Sequence, residues 1–444
     1  MIGTRSTLAF VVLCATTVVA ETQPDPAKQW GQWRGPGANG VAEYGDPPVE
    51  WSESHNIRWK VPIPGQGLST PLVWDAVVYL QTAISSGSAA KGEGTVEPKS
   101  RERGRRRSVP SEVHKFVVLA LDRNSGKTLW QKTLHEAVPH EGSHRDGSLA
   151  PASPITDGKH VYAFFGSRGL YCLTMKGEVV WEKDLGEMKT RNGFGEGSSP
   201  ALFGKTLVVN WDHEGDSFIV ALDKETGTEL WRRDRKEVTS WSTPLIVNDG
   251  GKPQVIVSAT SRVRGYDLAT GKTIWECGGL GLNCTPTPVV SSGLAFVMSG
   301  YRNPALLAIR YKGANGDLTD SDAVAWSTTK GTSYVPSPLL YDDTLYYLQR
   351  STGVLSCVDS KTGRPHYVRQ RLDKLGGVYA SPVGAAGRVY IAGRNGTTYV
   401  LKHGTSFQVL AVNKLEESFT ASPAIVGKDL YLRGEKFLYC IETE

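Results

Sequence analysis

Three histidines and an aspartate lie close together in one short stretch of the chain. His135, His140, His144 and Asp146 are residue types that ligate transition metals. Structural zinc sites place their ligands at compact helical spacings or in cysteine pairs, and residues 135–146 show neither pattern. We therefore interpret this stretch as a polar loop, and the sequence predicts no metal site.

A second charged run reads Trp-Asp-His-Glu-Gly-Asp at residues 211–216. Its carboxylates and imidazole could hold a cation, but this composition is also typical of a long hairpin turn, which is the interpretation we favour. Residues 313–322 are similarly acidic, yet they lack the alternating aspartates and the glycine of a calcium-binding EF-hand loop. We expect an elongated turn there.

The motifs of common catalytic sites are absent from the sequence. There is no Gly-x-Ser-x-Gly elbow, no His-Glu-x-x-His, no phosphate-binding loop and no Cys-x-x-Cys-His haem site. Any chemistry must therefore come from residues that the fold brings together, and the fold is set by a repeat.

The repeat is a Ser-Pro or Thr-Pro pair followed by an apolar strand, a tight turn and a second apolar strand. It occurs eight times, at Pro71, Pro154, Pro200, Pro244, Pro288, Pro338, Pro382 and Pro423. Most spacings lie near 44 residues, a period typical of a four-stranded β-propeller blade. The sequence therefore predicts an all-β, eight-bladed propeller of antiparallel blades.

Each regular repeat also carries a turn motif in which an aspartate is followed by a glycine and then by an aromatic residue. The members are Asp122, Gly126 and Trp130; Asp223, Gly227 and Trp231; Asp267, Gly271 and Trp275; and Asp359 and Gly363 with Tyr367. Aspartate can start a turn by bonding nearby backbone, glycine accepts the positive φ, and the aromatic ring can pack between blades. We interpret these residues as structural.

The two ends of the propeller complement each other. The last repeat ends at its third strand, residues 437–441, whereas residues 56–61 resemble a fourth strand without a blade. We expect these segments to pair and close the ring, which removes exposed sheet edges.

The chain divides into three parts. Residues 1–20 resemble a signal peptide cleaved near Ala20, residues 21–55 form an entry segment, and residues 56–444 form the propeller. Within the propeller, residues 85–112 are rich in arginine, glycine and serine, so we expect a disordered basic insertion. The expected location is periplasmic or secreted, with no transmembrane segment.

Composition narrows the range of partners. The formal net charge of +5 is small for 444 residues, and it does not indicate nucleic-acid binding.

Cys172, Cys357 and Cys440 share one repeat position with alanines, so they are expected to be small buried residues. Whether Cys277 and Cys284 form a disulfide stays open, and we expect a monomer.

The blade repeat and the opening of the entry segment resemble those of the PQQ-binding-like β-propeller repeat proteins. The Asp-x-x-Thr-Gly-x-x-x-Trp phrase is that superfamily's blade signature, and the opening Trp30-Gly-Gln-Trp33-Arg34-Gly35-Pro36 is similar to secreted members from planctomycetes and related bacteria. The resemblance implies a relation in fold to quinoprotein dehydrogenases, which bind PQQ and Ca²⁺ beneath adjacent cysteines. It equally implies a relation to the barrel-assembly propeller lipoprotein, which binds partners. This chain has no adjacent cysteine pair.

The loops that lead into the inner strands should converge at one end of the propeller channel. The candidate ligand-binding residues there are Arg191, Asn192, Glu196, Trp241, Asn283, Arg302, Tyr334 and Tyr379. We predict a binding or scaffold propeller for a small molecule, a glycan or a protein, with no catalytic residue and no cofactor. The alternative is an oxidoreductase that uses PQQ with Ca²⁺ or another redox cofactor.

Overall fold

The computed structural model describes residues 23–89, 110–248 and 250–443. In these ranges the helical segments are three single 3₁₀ turns, Pro26–Lys28, Gly166–Arg168 and Arg191–Gly193. None of the helices in these ranges is long and apolar enough to cross a membrane. The predicted signal peptide lies outside the described residues.

The strands form eight separate sheets, which confirms the predicted eight-bladed propeller. We number the blades in chain order and give each one from its inner to its outer strand. The strands are, in blade 1, Leu72–Trp74, Val77–Ala89, Glu112–Asp122 and Thr128–Ala137; in blade 2, Ile155–Thr156, His160–Phe164, Leu170–Thr174 and Val179–Lys183; in blade 3, Ala201–Phe203, Thr206–Trp211, Phe218–Asp223 and Glu229–Asp234; in blade 4, Leu245–Val247, Gln254–Ser258, Arg262–Asp267 and Thr273–Gly278; in blade 5, Val289–Ser291, Leu294–Ser299, Ala305–Arg310 and Val324–Thr328; in blade 6, Leu339–Tyr341, Thr344–Leu348, Val354–Asp359 and Pro365–Arg371; in blade 7, Val383–Ala385, Arg388–Ala392, Thr397–Lys402 and Val409–Lys414; and in blade 8, Ala424–Val426, Asp429–Arg433, Phe437–Ile441 and Ile57–Pro62.

The middle strands of each blade are buried on both faces because a neighbouring blade covers each side. Leu294–Ser299 is buried at every position, whereas the outer strand Val324–Thr328 is only partly buried. This burial explains why the middle strands read as continuous apolar runs rather than as alternating patterns.

The predicted ring closure is confirmed. Ile57–Pro62 pairs antiparallel with Phe437–Ile441, with Trp59 opposite Cys440 and Val61 opposite Leu438. Blade 8 is therefore built from both ends of the propeller, and Phe437–Ile441 is not left as an unpaired edge.

The turn motif works as the sequence predicts. Asp223 Oδ1 accepts hydrogen bonds from the N–H groups of Glu225 and Thr226, both at 3.0 Å, and Gly227 has φ 69°. The Trp181 ring of blade 2 covers this turn, and its Nε1 donates to the carbonyl oxygen of Lys224 at 2.9 Å. A Cβ atom on Gly227 would lie 2.8 Å from that ring, so the position requires glycine for space as well as for φ.

The same contact between an aromatic residue and the next blade's turn recurs around the ring. The pairs of indole donor and carbonyl acceptor are Trp59 with Arg123, Trp130 with Met175, Trp231 with Leu268 and Trp326 with Ser360. Trp275 is the exception, because its Nε1 donates to Gln254 of its own blade at 2.9 Å. The blade that follows Trp275 carries the elongated 313–322 turn in place of the regular one.

The five cysteines of the described ranges are buried free thiols, as expected for small core residues. Cys172 lies opposite Trp181 and Cys357 opposite Tyr367, as Ala221 lies opposite Trp231. A small side chain is required here because the aromatic ring occupies the neighbouring space. Cys277 and Cys284 are both unpaired, so the loop between blades 4 and 5 is not closed by a disulfide.

Three segments outside the regular repeat pack onto the blades. Residues 85–89 and 112 lie in strands of blade 1 rather than in a disordered insertion, and residues 90–109 are outside the described ranges. The entry segment contributes Val41–Ala42, which pairs parallel with Val383–Ala385 of blade 7. Within the 313–322 turn, Gly316–Asp317 adds a parallel strand to the outer edge of blade 4.

Candidate functional site

The loops that enter the inner strands converge on one face, which we call the mouth. They enclose a cavity of about 240 Å³ on the propeller axis, here called the mouth cavity. Its lining combines aromatic rings, hydroxyl groups and two carboxylates. The side chains used below are Trp33, His144, Asp146, Ser153, Phe194, Glu196, Ser199, Trp241, Thr243, Tyr334, Tyr379, Ser381 and Ser422.

The hydroxyl groups belong to the Ser or Thr that precedes the repeat proline, and they form a ring around the axis. At each of seven junctions the backbone N–H of one blade's residue donates to the hydroxyl oxygen of the next blade's residue. The bonds run from Thr70 to Ser153 (2.9 Å), Ser153 to Ser199 (2.9 Å), Ser199 to Thr243 (3.0 Å), Thr243 to Thr287 (3.3 Å), Thr287 to Ser337 (2.9 Å), Ser337 to Ser381 (2.9 Å) and Ser381 to Ser422 (3.0 Å). We call this set the hydroxyl ring.

The hydroxyl ring presents proton donors to the cavity. Every ring oxygen except that of Thr70 already accepts a backbone hydrogen bond, which leaves its O–H proton for another acceptor. Within the described residues, the five ring hydroxyls that line the cavity donate to no protein group; they belong to Ser153, Ser199, Thr243, Ser381 and Ser422. A ligand with acceptor oxygens would satisfy them.

The entry segment closes the cavity on the side away from the mouth. Trp33 lies in its lining, and the neighbouring Arg34 is almost fully buried. The Arg34 guanidinium donates to the carbonyl oxygens of Pro338 at 2.7 Å and Pro382 at 2.6 Å. Burial lowers the pKa of Arg34 to about 9. The segment is thus fixed to blades 6 and 7, and Trp33 is held as the floor of the cavity.

Two groups of aromatic rings form the walls. Phe194 lies between His144, at 5.3 Å between ring centroids, and Trp241, at 6.3 Å. Trp241 is fixed because its Nε1 donates to the carbonyl oxygen of Gly195 at 2.7 Å. In the second group, Tyr334 stacks on Tyr301 at 5.3 Å. Flat apolar faces are therefore available to a ligand ring.

Asp146 is an ionised acceptor in the wall. Its carboxylate accepts hydrogen bonds from Arg394 at 2.7 Å and from the Tyr379 hydroxyl at 3.2 Å. Desolvation alone would raise the pKa of Asp146. The hydrogen bond and positive charge of Arg394, the hydrogen bond from Tyr379 and the charge of His144 together outweigh desolvation, so the pKa of Asp146 is lowered. Burial in turn raises the pKa of the Tyr379 phenol.

Glu196 is held differently. The backbone N–H of Ser167 donates to its Oε2 at 2.9 Å, and the Ser167 hydroxyl donates to its Oε1. Desolvation raises the pKa of Glu196 in spite of these hydrogen bonds and of the nearby charge of Arg168. The two carboxylates of the cavity thus have opposite pKa shifts, and each is already bonded to protein groups.

The structure brings four of the eight predicted binding residues together. Glu196, Trp241, Tyr334 and Tyr379 line the mouth cavity. Asn283 is buried behind them, near Tyr334. Arg191, Asn192 and Arg302 do not line the cavity; Asn192 and Arg302 are exposed. The arginines therefore lie outside the aromatic cavity.

For several cavity residues, the sequence alone gives no indication that they line a binding site. Trp33 lies far from the other lining residues in the chain, and Phe194 lies in a loop without a motif. His144 and Asp146 belong to the stretch that the sequence predicts to be a polar loop near the channel mouth, but no pattern indicates that their side chains line a cavity. The hydroxyl ring had a signal, the Ser or Thr before each repeat proline, which we treated only as a mark of the repeat.

The charged run at residues 211–216 is a structural turn rather than a cation site. Asp212 is fully buried, and Arg235 Nε and Nη2 bond its two oxygens at 2.7 and 3.0 Å. The Ser240 hydroxyl adds a third hydrogen bond to Asp212, at 2.6 Å. Its oxygens are therefore already satisfied by one cation and one hydroxyl.

One group of side chains in the described ranges has metal-ligand composition, and it lies between blades 2 and 3, away from the mouth cavity. It consists of Asp157, His160 and Glu225. The Lys224 ammonium group is 2.6 Å from Asp157 Oδ2 and already supplies the neutralising cation. This group is therefore a structural ion-pair cluster.

The residues of the mouth cavity do not fit PQQ with Ca²⁺. PQQ is a planar polyanion, and the cavity lining holds two carboxylates but neither lysine nor arginine. Ca²⁺ takes six to eight oxygen ligands, whereas the oxygens of Asp146 and Glu196 are engaged by Arg394, Tyr379 and Ser167. No catalytic step through that cofactor follows from this site.

Comparison with known proteins identifies relatives of two kinds. The family model described as outer membrane protein assembly factor BamB matches residues 114–367. Outer membrane protein assembly factor BamB from Yersinia pestis is 23% identical over 371 residues, which cover 72% of this chain and 88% of that protein.

Two solved structures share the fold. BamB from Moraxella catarrhalis superposes with a TM-score of 0.54 at 13% identity, covering 86% of this chain and 98% of that one. Quinohemoprotein alcohol dehydrogenase from Comamonas testosteroni superposes with a TM-score of 0.61 at 11% identity, covering 94% and 81% respectively. At these identities, the likeness shows the fold alone.

Proposed function

The chain belongs to the family described as outer membrane protein assembly factor BamB, whose model matches more than half of its length, and on that premise we propose that it is a non-catalytic binding propeller. The protein acts after export, in the periplasm or outside the cell, and its ligand enters the mouth cavity. The matching family is named for an assembly factor, that is, a protein that acts by binding partners.

One observation carries this proposal. Asp146 and Glu196 are the carboxylates of the cavity lining, and each is bonded to protein donors rather than placed opposite a nucleophile. General acid or base catalysis needs such a group within reach of a reacting proton. The rest of the lining is made mainly of aromatic faces, hydroxyl donors and small apolar residues, which are typical of ligand recognition. The imidazole of His144 is also bonded to protein, since its Nδ1 accepts from the backbone N–H of Asp146 at 3.1 Å.

The second candidate is a PQQ-dependent oxidoreductase, and the likeness in fold to quinohemoprotein alcohol dehydrogenase favours it. The lack of lysine and arginine in the described lining and the engaged carboxylates weigh against it. A dye-linked oxidation assay separates the two functions. The mature protein is incubated with PQQ and Ca²⁺ and then supplied with primary alcohols and aldoses.

We expect no oxidation above that of PQQ and Ca²⁺ without protein. Turnover that depends on the protein and disappears in Trp241→Ala would establish the oxidoreductase instead. Trp231→Phe, which alters a blade contact far from the cavity lining, is the matched control.

A further inference from the structure

The hydrogen-bonding groups of the mouth cavity are divided between its depth and its wall. The hydroxyl ring offers O–H donors, whereas Asp146 and Glu196, when ionised, can only accept, through the lone pairs that their protein donors leave free. A ligand that satisfies both sets must carry both acceptors and donors. Alcohol hydroxyls have this property.

The aromatic walls add a second requirement, flat apolar surface on the ligand. Trp241 and Phe194 stand on one side, and Tyr334 and Tyr379 come from loops entering blades 6 and 7. The axial C–H groups of a pyranose ring form such a surface, and they pack on the negative face of an aromatic ring. A hydroxylated ring with apolar faces therefore matches both the polar and the aromatic parts of the lining.

Charge excludes the anionic members of this class. The described lining holds neither lysine nor arginine, and the guanidinium groups beside Asp146, those of Arg394 and Arg145, are already paired with its carboxylate. A uronate or a sugar phosphate would therefore place its charge beside carboxylates without a cation to neutralise it. An uncharged ring pays no such cost.

The size of the cavity limits the ligand. Pockets for drug-sized molecules enclose roughly 300–1,000 Å³, and the mouth cavity encloses about 240 Å³. It thus has space for one ring, and the open mouth leaves room for further units outside it. We propose that the mouth cavity binds one uncharged pyranose unit of a carbohydrate. This inference rests on the proposed function, because it assumes that the mouth is a binding site.

The test is isothermal titration of the full mature chain with the methyl glycosides of glucose, galactose, mannose and N-acetylglucosamine. Glucuronate, glucosamine and choline serve as charged ligands. A trisaccharide of the sugar that binds most tightly distinguishes recognition of a free sugar from recognition of a glycan end. We expect at least one neutral glycoside to bind, and Asp146→Asn to weaken it by about tenfold, the loss of ~1.4 kcal/mol.

The matched variants separate recognition from folding. Ser381→Ala removes one ring hydroxyl and should weaken glycoside binding. Ser381→Thr keeps a hydroxyl at this position, as Thr243 does in blade 3's neighbour, blade 4, and should bind the glycoside as wild type does. Asp343→Asn, at an exposed turn ion pair with Lys361, is the remote control. Thermal unfolding of each variant verifies that it is folded.

Three results would overturn the proposal. They are no heat of binding with any neutral glycoside, tighter binding of glucuronate than of neutral sugars, and binding of glucosamine and choline without neutral glycosides. These results would overturn the carbohydrate proposal but leave the proposed non-catalytic function in place. The proposed function would fail if the oxidation assay showed PQQ-dependent turnover.

Discussion

The hydroxyl ring is open between Ser422 and Thr70. Seven junctions are joined by a hydrogen bond from backbone to hydroxyl, but at the eighth the buried Thr70 Oγ1 has no partner in the described chain. This is the junction between blades 8 and 1, where the two ends of the propeller meet. Arg433 of blade 8 bonds across the same junction instead, to the carbonyl oxygens of Ser69 at 3.1 Å and Gln81 at 2.8 Å.

Removal of this arginine should weaken the junction. Arg433 is buried, and burial lowers its pKa to about 9. In Arg433→Met the Ser69 carbonyl oxygen loses the Arg433 donor, and the Gln81 carbonyl oxygen keeps only a long bond from the Ser69 hydroxyl at 3.4 Å. A buried group left unsatisfied costs roughly 1–3 kcal/mol. We expect a lower thermal unfolding midpoint, measured by circular dichroism. Arg371→Met, at an exposed position of blade 6, is the control and should leave the midpoint unchanged. Equal midpoints for both variants would contradict this role.

The docking tryptophans should dominate blade-to-blade stability. Trp231 is 7% exposed and donates to Leu268 of the next blade at 2.8 Å, whereas its neighbour Leu230 is 51% exposed. Trp231→Ala should cost roughly 3–5 kcal/mol, and Leu230→Ala should stay within about 0.5 kcal/mol. Urea denaturation measures both. A loss well under ~1 kcal/mol for Trp231→Ala would refute the docking role.

The mouth should lose stability on acidification. The pKa of Asp146 is lowered in the folded chain, so its ionised form stabilises the fold above the ordinary carboxyl pKa, near 4. This contribution is lost as the pH falls through the lower, folded pKa. The difference in unfolding midpoint between wild type and Asp146→Asn should therefore be largest near neutral pH and shrink towards pH ~3. A difference that is constant across this range would rule out the linkage.

Glu196 should show the opposite dependence. Burial raises the pKa of Glu196, so ionisation opposes folding as the pH rises through the folded value. Glu196→Gln removes this titration, and its midpoint relative to wild type should rise between acidic and neutral pH. A relative midpoint that falls over the same interval would show that the carboxylate is stabilising.

The thiols should be inert in the folded protein. Burial raises the pKa of Cys172 and Cys357 to about 12 and that of Cys277 to about 11. Because the thiolate is the reactive form, we expect no reaction of the five described thiols with a disulfide reagent at pH ~8, and full reaction after denaturation. Fast labelling of Cys277 or Cys284 in the native protein would contradict their burial.

The repeat was sufficient to predict the blade count, the ring closure and the docking of aromatic residues on turns. These features depend on contacts that recur at a fixed spacing, as between Trp231 and the turn at Gly271. The strands at Val41–Ala42 and Gly316–Asp317 were missed, because each is two residues long and pairs with a sheet that it does not follow in sequence.

The candidate site was only partly predictable. Trp241 and Tyr379 precede inner strands, so the repeat places them at the mouth. Whether a loop side chain points into the cavity depends on bonds that the spacing does not encode. Asp146, for example, is fixed by Arg394, which is distant in the chain. For the same reason Arg191 and Arg302 were expected at the mouth, yet they do not line the cavity.

The central claim, that the mouth is a binding site rather than a quinone site, is tested most directly by equilibrium titration of the mature protein with PQQ. The titration is followed by absorbance, with and without Ca²⁺. Because the described lining holds neither lysine nor arginine to meet the carboxylates of PQQ, we expect no submicromolar binding under either condition, and no effect of Trp241→Ala. Submicromolar binding that requires Ca²⁺ and is lost in Trp241→Ala would contradict the account.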